Sequence, residues 1–333
     1  MISYNKALVC GLGGSGEASA SLLLNEGASV TLIDRGDTPE LRGKAAALEK
    51  KGAKVMLGAT ELPPGVFDVC IVSPGLPWQS PWLVEARRRG LETLAELELG
   101  WSRRPPRCRA AAVTGSNGKS TAVKWLAESL QRAGLNAAPA GNYGPPAAQA
   151  ALADPPLDWM VLEVSSFQLE ATHAFRPDVG VLLNIHPNHL DRHGSMAEYK
   201  AMKARLFART LESDWCVVHR PLLEEIRALA KGRGRWVSFG ATDDCDYRYA
   251  QGRVWRGGRA IADFTGSYFD NDILGLAAAA LVAAGEGCGI GAGPMEEAAR
   301  SFQPLQHRMQ TVRELRGVRF INDSKATNLA AMA

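Results

Sequence analysis

The sequence predicts an α/β protein with two parallel-sheet domains in series, and three observations lead there. Strand-like apolar runs alternate with helix-like amphipathic runs along most of the chain. Two glycine-rich turns, VCGLGGSG at 9–16 and AAVTGSNGKST at 111–121, each lie between a strand run and a helix run. A chain of 333 residues also exceeds one ordinary core, since domains run to roughly 150 residues.

The first hundred residues repeat a strand-then-helix rhythm. ALVCGL reads as a strand, SGEASASLLLNEG as a helix, SVTLID as a strand, the charged stretch to Lys51 as a helix and DVCIVSPG as a strand. The segment WSRRPPRCR at 101–109 has two prolines, four arginines and no apolar periodicity, which predicts a linker. A second α/β series follows in RAAAVTG, in KSTAVKWLAESLQRAG with Gly134 as helix cap, in WMVLEVSS and in VGVLLNIHP. The expected domains are therefore 1–100 and 110–303. Beyond QPLQHR, GVRFINDSKATN predicts one strand running into a polar turn before LAAMA. A strand and a turn bury no core of their own, so residues 304–333 are either the start of a truncated domain or a tail packed on the second one.

Charge and cysteine usage narrow the class. A formal charge of +3 with 22% charged residues shows no bias toward nucleic acid. The basic clusters Arg87–Arg89 and Arg103, Arg104, Arg107 and Arg109 read as solvated helix and linker surface. Six cysteines are scattered with no C-x-x-C pair, which favours a reducing compartment. The N-terminus enters a strand pattern without a signal-peptide apolar region, and the longest apolar run, LGLAAAALVAA from Leu274, is too short to span a bilayer. A cytoplasmic protein with no membrane partner is the expectation.

Gly11, Gly13 and Gly16 form G-x-G-x-x-G between a strand and a helix, the context of a Rossmann-like turn. Helix-start amides and the Ser15 hydroxyl suit a diphosphate, and Asp34, at the end of the next strand, suits a ribose or base. In the second turn the amides of Gly115 to Gly118 and Lys119 suit β and γ phosphates, while Ser120 or Thr121 reaches Mg²⁺. Its spacing G-x-x-G-K-S is shorter than the usual phosphate loop, with Val113 where the first glycine belongs. Glu163 and His189 fall at or beyond strand ends, where open parallel sheets bind ligands, and read as Mg²⁺ ligands. A zinc site on His186, His189 and His193 is a lesser alternative that lacks a fourth ligand. Lys203 shares a helix face with Tyr199, Leu206 and Phe207, so it either snorkels to water or is modified or paired within the site.

At these residues the sequence resembles the Mur ligases, amide-bond ligases of peptidoglycan precursor synthesis. The matching segments are GLGGSG, SPG at 73–75, TGSNGKST, GNYG at 141–144, LEVSSFQLE at 162–170, NHLDRH at 188–193, YKAMK at 199–203, HR at 307–308 and NDSKATN at 322–328. They keep the family order along the whole chain, and LEVSSFQLE with NDSKATN points to the glutamate-adding branch.

The resemblance implies a UDP-sugar instead of NAD in the first domain, contacted by Ser15, Asp34, Arg35, Ser73 and Gly75, with Asn142 near the substrate carboxylate. It implies a second domain of P-loop ATPase type. There, ATP is held by Gly115, Asn117, Gly118, Lys119, Ser120, Thr121 and Asn271, and by Arg308, Asp323, Lys325 and Thr327. Lys119, Glu163, His189 and Lys203 form the implied catalytic set. Two Mg²⁺ ions are expected on Ser120, Glu163, His189 and Lys203, the lysine as its carbamate. The implied substrates are UDP-N-acetylmuramoyl-L-alanine and glutamate, joined through an acyl phosphate by a cytoplasmic monomer, with links to cell shape, division and the cell cycle.

Two departures qualify that pattern. GSYFDND at 266–272 places Tyr268, Phe269 and Asp272 where the family has His, Asn and Asn. The chain also ends at Ala333, short of a third, amino-acid-binding domain, so this chain is expected to bind its UDP substrate and to ligate poorly. A non-catalytic substrate-binding relative and an NAD-dependent oxidoreductase are the competing expectations.

Overall fold

The structure, a computed structural model, describes residues 3–308 and 310–325. In chain order its elements are β1 Lys6–Cys10, α1 Gly14–Asn25, β2 Ser29–Ile33, α2 Pro39–Glu49, β3 Lys54–Met56, β4 Val69–Val72, α3 Pro81–Arg88, β5 Glu92–Ala95 and α4 Glu96–Ser102. Then come β6 Arg109–Thr114, α5 Lys119–Arg132, β7 Ala137–Gly141, α6 Ala147–Ala150, β8 Trp159–Glu163, α7 Ser166–Leu169, β9 Val179–Leu182, α8 Leu190–His193 and α9 Met196–Ala204. The remainder is β10 Trp215–His219, α10 Leu223–Ala230, β11 Arg235–Gly240, β12 Tyr247–Ala250, β13 Arg253–Arg256, β14 Arg259–Asp263, α11 Asp272–Gly287, α12 Ala292–Arg300, β15 Gln310–Leu315 and β16 Val318–Asn322. The α/β class read from the sequence is the class observed. The chain divides into two compact units, Met1–Ala110 with Ala138–Pro177, and Ala111–Ala137 with Asp178–Ala333.

In the first unit, strands run in the order β3-β2-β1-β4-β5, every pair parallel. The apolar runs are unbroken because both sheet faces are covered. Ala7 and Val9 of β1 join the cluster with Leu23, Val30 and Ile71. Leu8 and Cys10 point the other way, to Ile33, Cys70 and Trp82. Strand order reverses between β1 and β4, and the crevice beyond their carboxyl ends is where an open sheet of this kind takes a ligand. Local signals set the helices: Thr38 accepts the Leu41 N–H ahead of Pro39 and so starts α2.

The expected linker needs correction. Trp101 and Ser102 belong to α4, and Arg103 and Arg104 are tied down. Arg103 pairs with Glu26 at 2.8 Å, lies over the Tyr4 ring and has a side chain only 5% exposed. Arg104 stacks on Trp101 and donates to the carbonyls of Trp101 and Cys108. Charge alone hid this, because an arginine stem covers apolar surface while its head finds acceptors.

In the second unit, strands follow β14-β13-β12-β11-β10-β9-β6. Pairing is parallel from β6 through β9, β10 and β11 to β12, then antiparallel through β13 to β14. Gly134, left-handed at φ +84°, follows the end of α5 as expected. The GSYFDND departure has a packing reason. Phe269 is fully buried and stacked on Trp125 with centroids 3.9 Å apart, and Tyr268 stacks on Phe302.

The tail holds two strands where one was expected. β15 and β16 form an antiparallel hairpin, and QTVREL escaped notice because it lacks an apolar repeat. Val318, Phe320 and Ile321 stand 58%, 50% and 46% exposed on it. No helix among the described residues is long and apolar enough to cross a membrane.

Candidate functional site

The first glycine turn leaves β1 at Cys10 and enters α1. Gly11 takes φ +99°, and a Cβ there would stand 2.9 Å from the Ser73 hydroxyl. A Cβ on Gly16 would run into the Gly11 carbonyl, so the third glycine is what lets helix and strand close together. Gly13 and Gly14 are exposed at the start of α1, which has no side-chain cap, leaving its first N–H groups to face a ligand. Asp34 braces the turn: Oδ2 accepts the Leu12 N–H at 2.6 Å and Oδ1 the Gly36 N–H at 2.7 Å. Ser73 donates to the Gly11 carbonyl at 3.3 Å, and the Arg35 guanidinium lies over the Trp82 ring. Gly75 meets nothing within 4 Å of an added Cβ, so it lines open space. The structure thus brings Asp34 and Ser73 onto the turn that carries Ser15.

Elsewhere in this unit, Asn142 and Glu163 form a pair. The Asn142 Nδ2 donates to Glu163 Oε1 at 2.7 Å, and its N–H donates to the Glu163 carbonyl at 3.0 Å. Gly141, at φ +91°, allows that approach, since a Cβ would lie 2.5 Å from the same carbonyl. Glu163 closes β8 at 2% exposure, and no partner reaches its Oε2 among the described residues. A buried carboxylate oxygen without a donor fits a cation ligand. Just beyond, Ser165 and Gln168 close a capping box that starts α7.

The second glycine turn joins β6 to α5. Gly118, left-handed at φ +82°, precedes the first helical residue, Lys119. The Lys119 Nζ donates to the carbonyls of Gly115 and Ser116, both at 2.9 Å. Asn184, beyond β9, braces this turn: its Oδ1 accepts the N–H of Ser116 at 3.1 Å and of Asn117 at 2.9 Å. Sequence reasoning overlooked Asn184, although an asparagine two residues past an apolar strand is a position that meets the neighbouring loop. Ser116 is a further tie, exchanging hydrogen bonds with the His186 backbone and lying 3.2 Å from the Tyr199 hydroxyl.

Lys203 is 1% exposed, so it does not snorkel. Its Nζ donates to the Gly115 carbonyl at 3.0 Å and to Thr114 Oγ1 at 3.3 Å, with the Tyr199 ring 4.7 Å away. His189, left-handed at φ +54°, begins α8. Burial depresses its imidazole pKa, the charges of Lys119, Lys203 and Arg192 adding to the fall and Asp191 opposing it, so the neutral ring that a metal requires is favoured. Arg308 donates to Ser120 Oγ at 2.9 Å. The turn, Lys203, His189 and Arg308 therefore share one electrostatic neighbourhood.

Other expected nucleotide residues have contacts of their own. Asn271 spends its carbonyl oxygen on the Leu274 N–H, starting α11, and donates to the Tyr268 carbonyl. Asp323 follows β16 and, after burial, is the second cause of a raised Tyr268 hydroxyl pKa. Lys325 donates its N–H to the His307 carbonyl at 3.2 Å. Thr327 lies outside the described residues. No three His, Cys, Asp or Glu side chains among the described residues converge as metal ligands, so the zinc alternative gains no support.

Comparison with known proteins places this geometry. A family model described as the Mur ligase middle domain matches residues 113–269. The chain is 36% identical over 347 residues to the UDP-N-acetylmuramoylalanine--D-glutamate ligase of Microcystis aeruginosa (strain NIES-843 / IAM M-2473), covering 98% of this chain and 74% of that protein. It is 38% identical over 342 residues to the ligase of the same name from Pelotomaculum thermopropionicum (strain DSM 13744 / JCM 10971 / SI), covering 97% and 72%. Its fold resembles the UDP-N-acetylmuramate:L-alanyl-gamma-D-glutamyl-meso-diaminopimelate ligase from Neisseria meningitides, with TM-score 0.62 at 18% identity over 91% of this chain and 99% of that one. With relatives this similar along nearly its whole length, the chain belongs to the Mur ligase family.

Proposed function

We propose that this chain serves the ATP-dependent addition of D-glutamate to UDP-N-acetylmuramoyl-L-alanine in peptidoglycan precursor synthesis, working as a cytoplasmic monomer. The observation that carries the reading is the second glycine turn, where Lys119 and Arg308 bring cations to amides set for a polyphosphate. The names of the relatives supply the substrate and the amino acid.

In this reading the first turn, with Ser15, Asp34, Arg35, Ser73 and Gly75, takes the UDP moiety, and Asn142 orients the substrate carboxylate. Gly115, Asn117, Gly118, Lys119, Ser120 and Thr121 hold the ATP phosphates, with Asn271, Arg308, Asp323, Lys325 and Thr327 as further nucleotide contacts. The substrate carboxylate attacks the γ-phosphorus, the bond to the β–γ bridging oxygen breaks, and Lys119 neutralises charge on the transferring group. The glutamate amine then attacks the acyl phosphate carbonyl, loses a proton and expels phosphate, leaving an amide.

Mg²⁺, when bound, lowers the charge on the phosphates. Glu163, with its partnerless Oε2, is suited as a metal ligand in the first unit, and Ser120, His189 and Lys203 are suited as metal ligands in the second. A buried Lys203 whose Nζ reaches the turn is the feature that supports carbamylation, in which the ammonium gives up one proton, the amine adds to CO₂ and a second proton leaves to give the carbamate. A carbamate ¹³C resonance on ¹³CO₂ loading that is absent in Lys203→Ala tests that point.

Calorimetric titration with UDP-N-acetylmuramoyl-L-alanine and, in parallel, NADH tests the reading, followed by hydroxylamine trapping with ATP and Mg²⁺. Saturable binding of the UDP-sugar and a hydroxamate product are expected. Binding of NADH alone overturns the assignment.

A further inference from the structure

Glu96, the first residue of α4, carried no role in the sequence, yet the fold buries it to 1% exposure. Its Oε1 accepts the Ala148 N–H at 2.7 Å, and the Ser15 hydroxyl and the Ala147 N–H face the same carboxyl. No partner reaches Oε2 among the described residues. Glu96 also lines a small cavity with Ser73, Leu76 and Gln168. One side chain therefore joins the helix of the first glycine turn, the start of α6 and the cavity beside Ser73.

Among the described residues, no cation contributes to the electrostatics of this carboxyl. On α1, Glu17 faces Lys44 and Glu26 pairs with Arg103. On β5, Glu92 accepts from Tyr4; on α4, Glu98 accepts the N–H groups of His173 and Ala174. Neither β4 nor α6 carries an ionisable side chain other than the thiol of Cys70, and Glu170 is the one further acid on the cavity wall. Burial accordingly raises the acid to about 7, against the lowering influence of Ala148, Ser15 and Ala147. A diphosphate at the Ser15 turn adds negative charge next to it, and like charge disfavours the ionised form further.

We propose that Glu96 is a positioning residue for the UDP substrate and takes up a proton when that substrate binds, the neutral carboxyl holding Ser15 and the start of α6 in place. The proton resides on Oε2, the oxygen without a partner. This rests on the reading of the first turn as the UDP-substrate site. A diphosphate diester and a carboxylate are already fully ionised at neutral pH, so the ligand contributes no titration of its own.

The test is calorimetry of the full chain with UDP-N-acetylmuramoyl-L-alanine from about pH 6 to about pH 8, in two buffers of different ionisation heat. The wild type is expected to take up a fraction of a proton near pH 7, with Kd rising by up to about tenfold per pH unit above it. Glu96→Gln is expected to bind with a flattened profile and no uptake. A flat wild-type profile, or the same slope in Glu96→Gln, overturns the proposal while leaving the turn assignment standing; absence of binding at every pH overturns both. Should Glu96→Gln fail to fold, the carboxyl ¹³C resonances of glutamate-labelled wild-type protein give the answer. One must titrate near neutral pH and move upward with substrate, and its absence overturns the proposal.

Discussion

The two glycine turns are built on one plan and differ in charge. Each follows a parallel strand, opens a helix, and has its first amides held by a side chain from beyond a neighbouring strand. Asp34 does this for Leu12, and Asn184 for Ser116 and Asn117. The first brace is a carboxylate with a second acid, Glu96, close behind. The second is a neutral amide, with the Lys119 ammonium on the loop and the Arg308 guanidinium at the helix start that follows it. The polyphosphate proposed for the second turn would be favoured by that field, and a carboxylate brace there would oppose it. A UDP moiety brings ribose and uracil donors as well as a diphosphate, and Asp34 can accept from such donors.

The difference can be broken from the cationic side first. Lys119→Ala should lower phosphoryl transfer by about 100- to 1000-fold, followed as hydroxamate formation, with UDP-substrate affinity intact. Equal loss of both would mean that the turns do not divide the work. The next effect is on stability. The acid of Glu96 is raised in the folded state, so its contribution is present below about pH 4.5 and is lost as pH rises through about 7. That loss amounts to about 3 kcal/mol at most, and Glu96→Gln should remove the slope from urea unfolding midpoints measured across this window.

Exchanging the brace sharpens the contrast. Asn184→Asp keeps an acceptor for both amides but adds negative charge, and should weaken ATP binding on the order of 100-fold in calorimetry. Asp34→Asn keeps an acceptor while removing charge, and should cost the UDP-sugar about 1 kcal/mol, or about fivefold in Kd. Similar penalties for the two exchanges would deny that charge distinguishes the turns.

The turns themselves were legible because glycine spacing reports backbone demands directly: Gly11 and Gly118 are left-handed, and Gly16 has no room for a Cβ. Lys203 was legible as an anomaly, a lysine on an apolar helix face, and the fold buries it. Glu96 and Asn184 were not, because each acts on a backbone far away in sequence and leaves no local pattern: 52 residues separate Glu96 from Ala148, and 68 separate Asn184 from Ser116. Phe269 and Tyr268 looked like losses from a polar motif until their packing on Trp125 and Phe302 was seen. β15 was missed for want of an apolar repeat, which an exposed hairpin does not need.

The resting place of Lys119 has a kinetic consequence. Its ammonium is parked on two carbonyls of the loop it serves, so an arriving phosphate exchanges partners with a side chain already in position. The rotamer search of a free lysine, worth up to about 2 kcal/mol, is finished before the nucleotide appears. If the turn takes a nucleotide as proposed, capture exchanges hydrogen bonds at Lys119 and needs no prior ordering of that side chain.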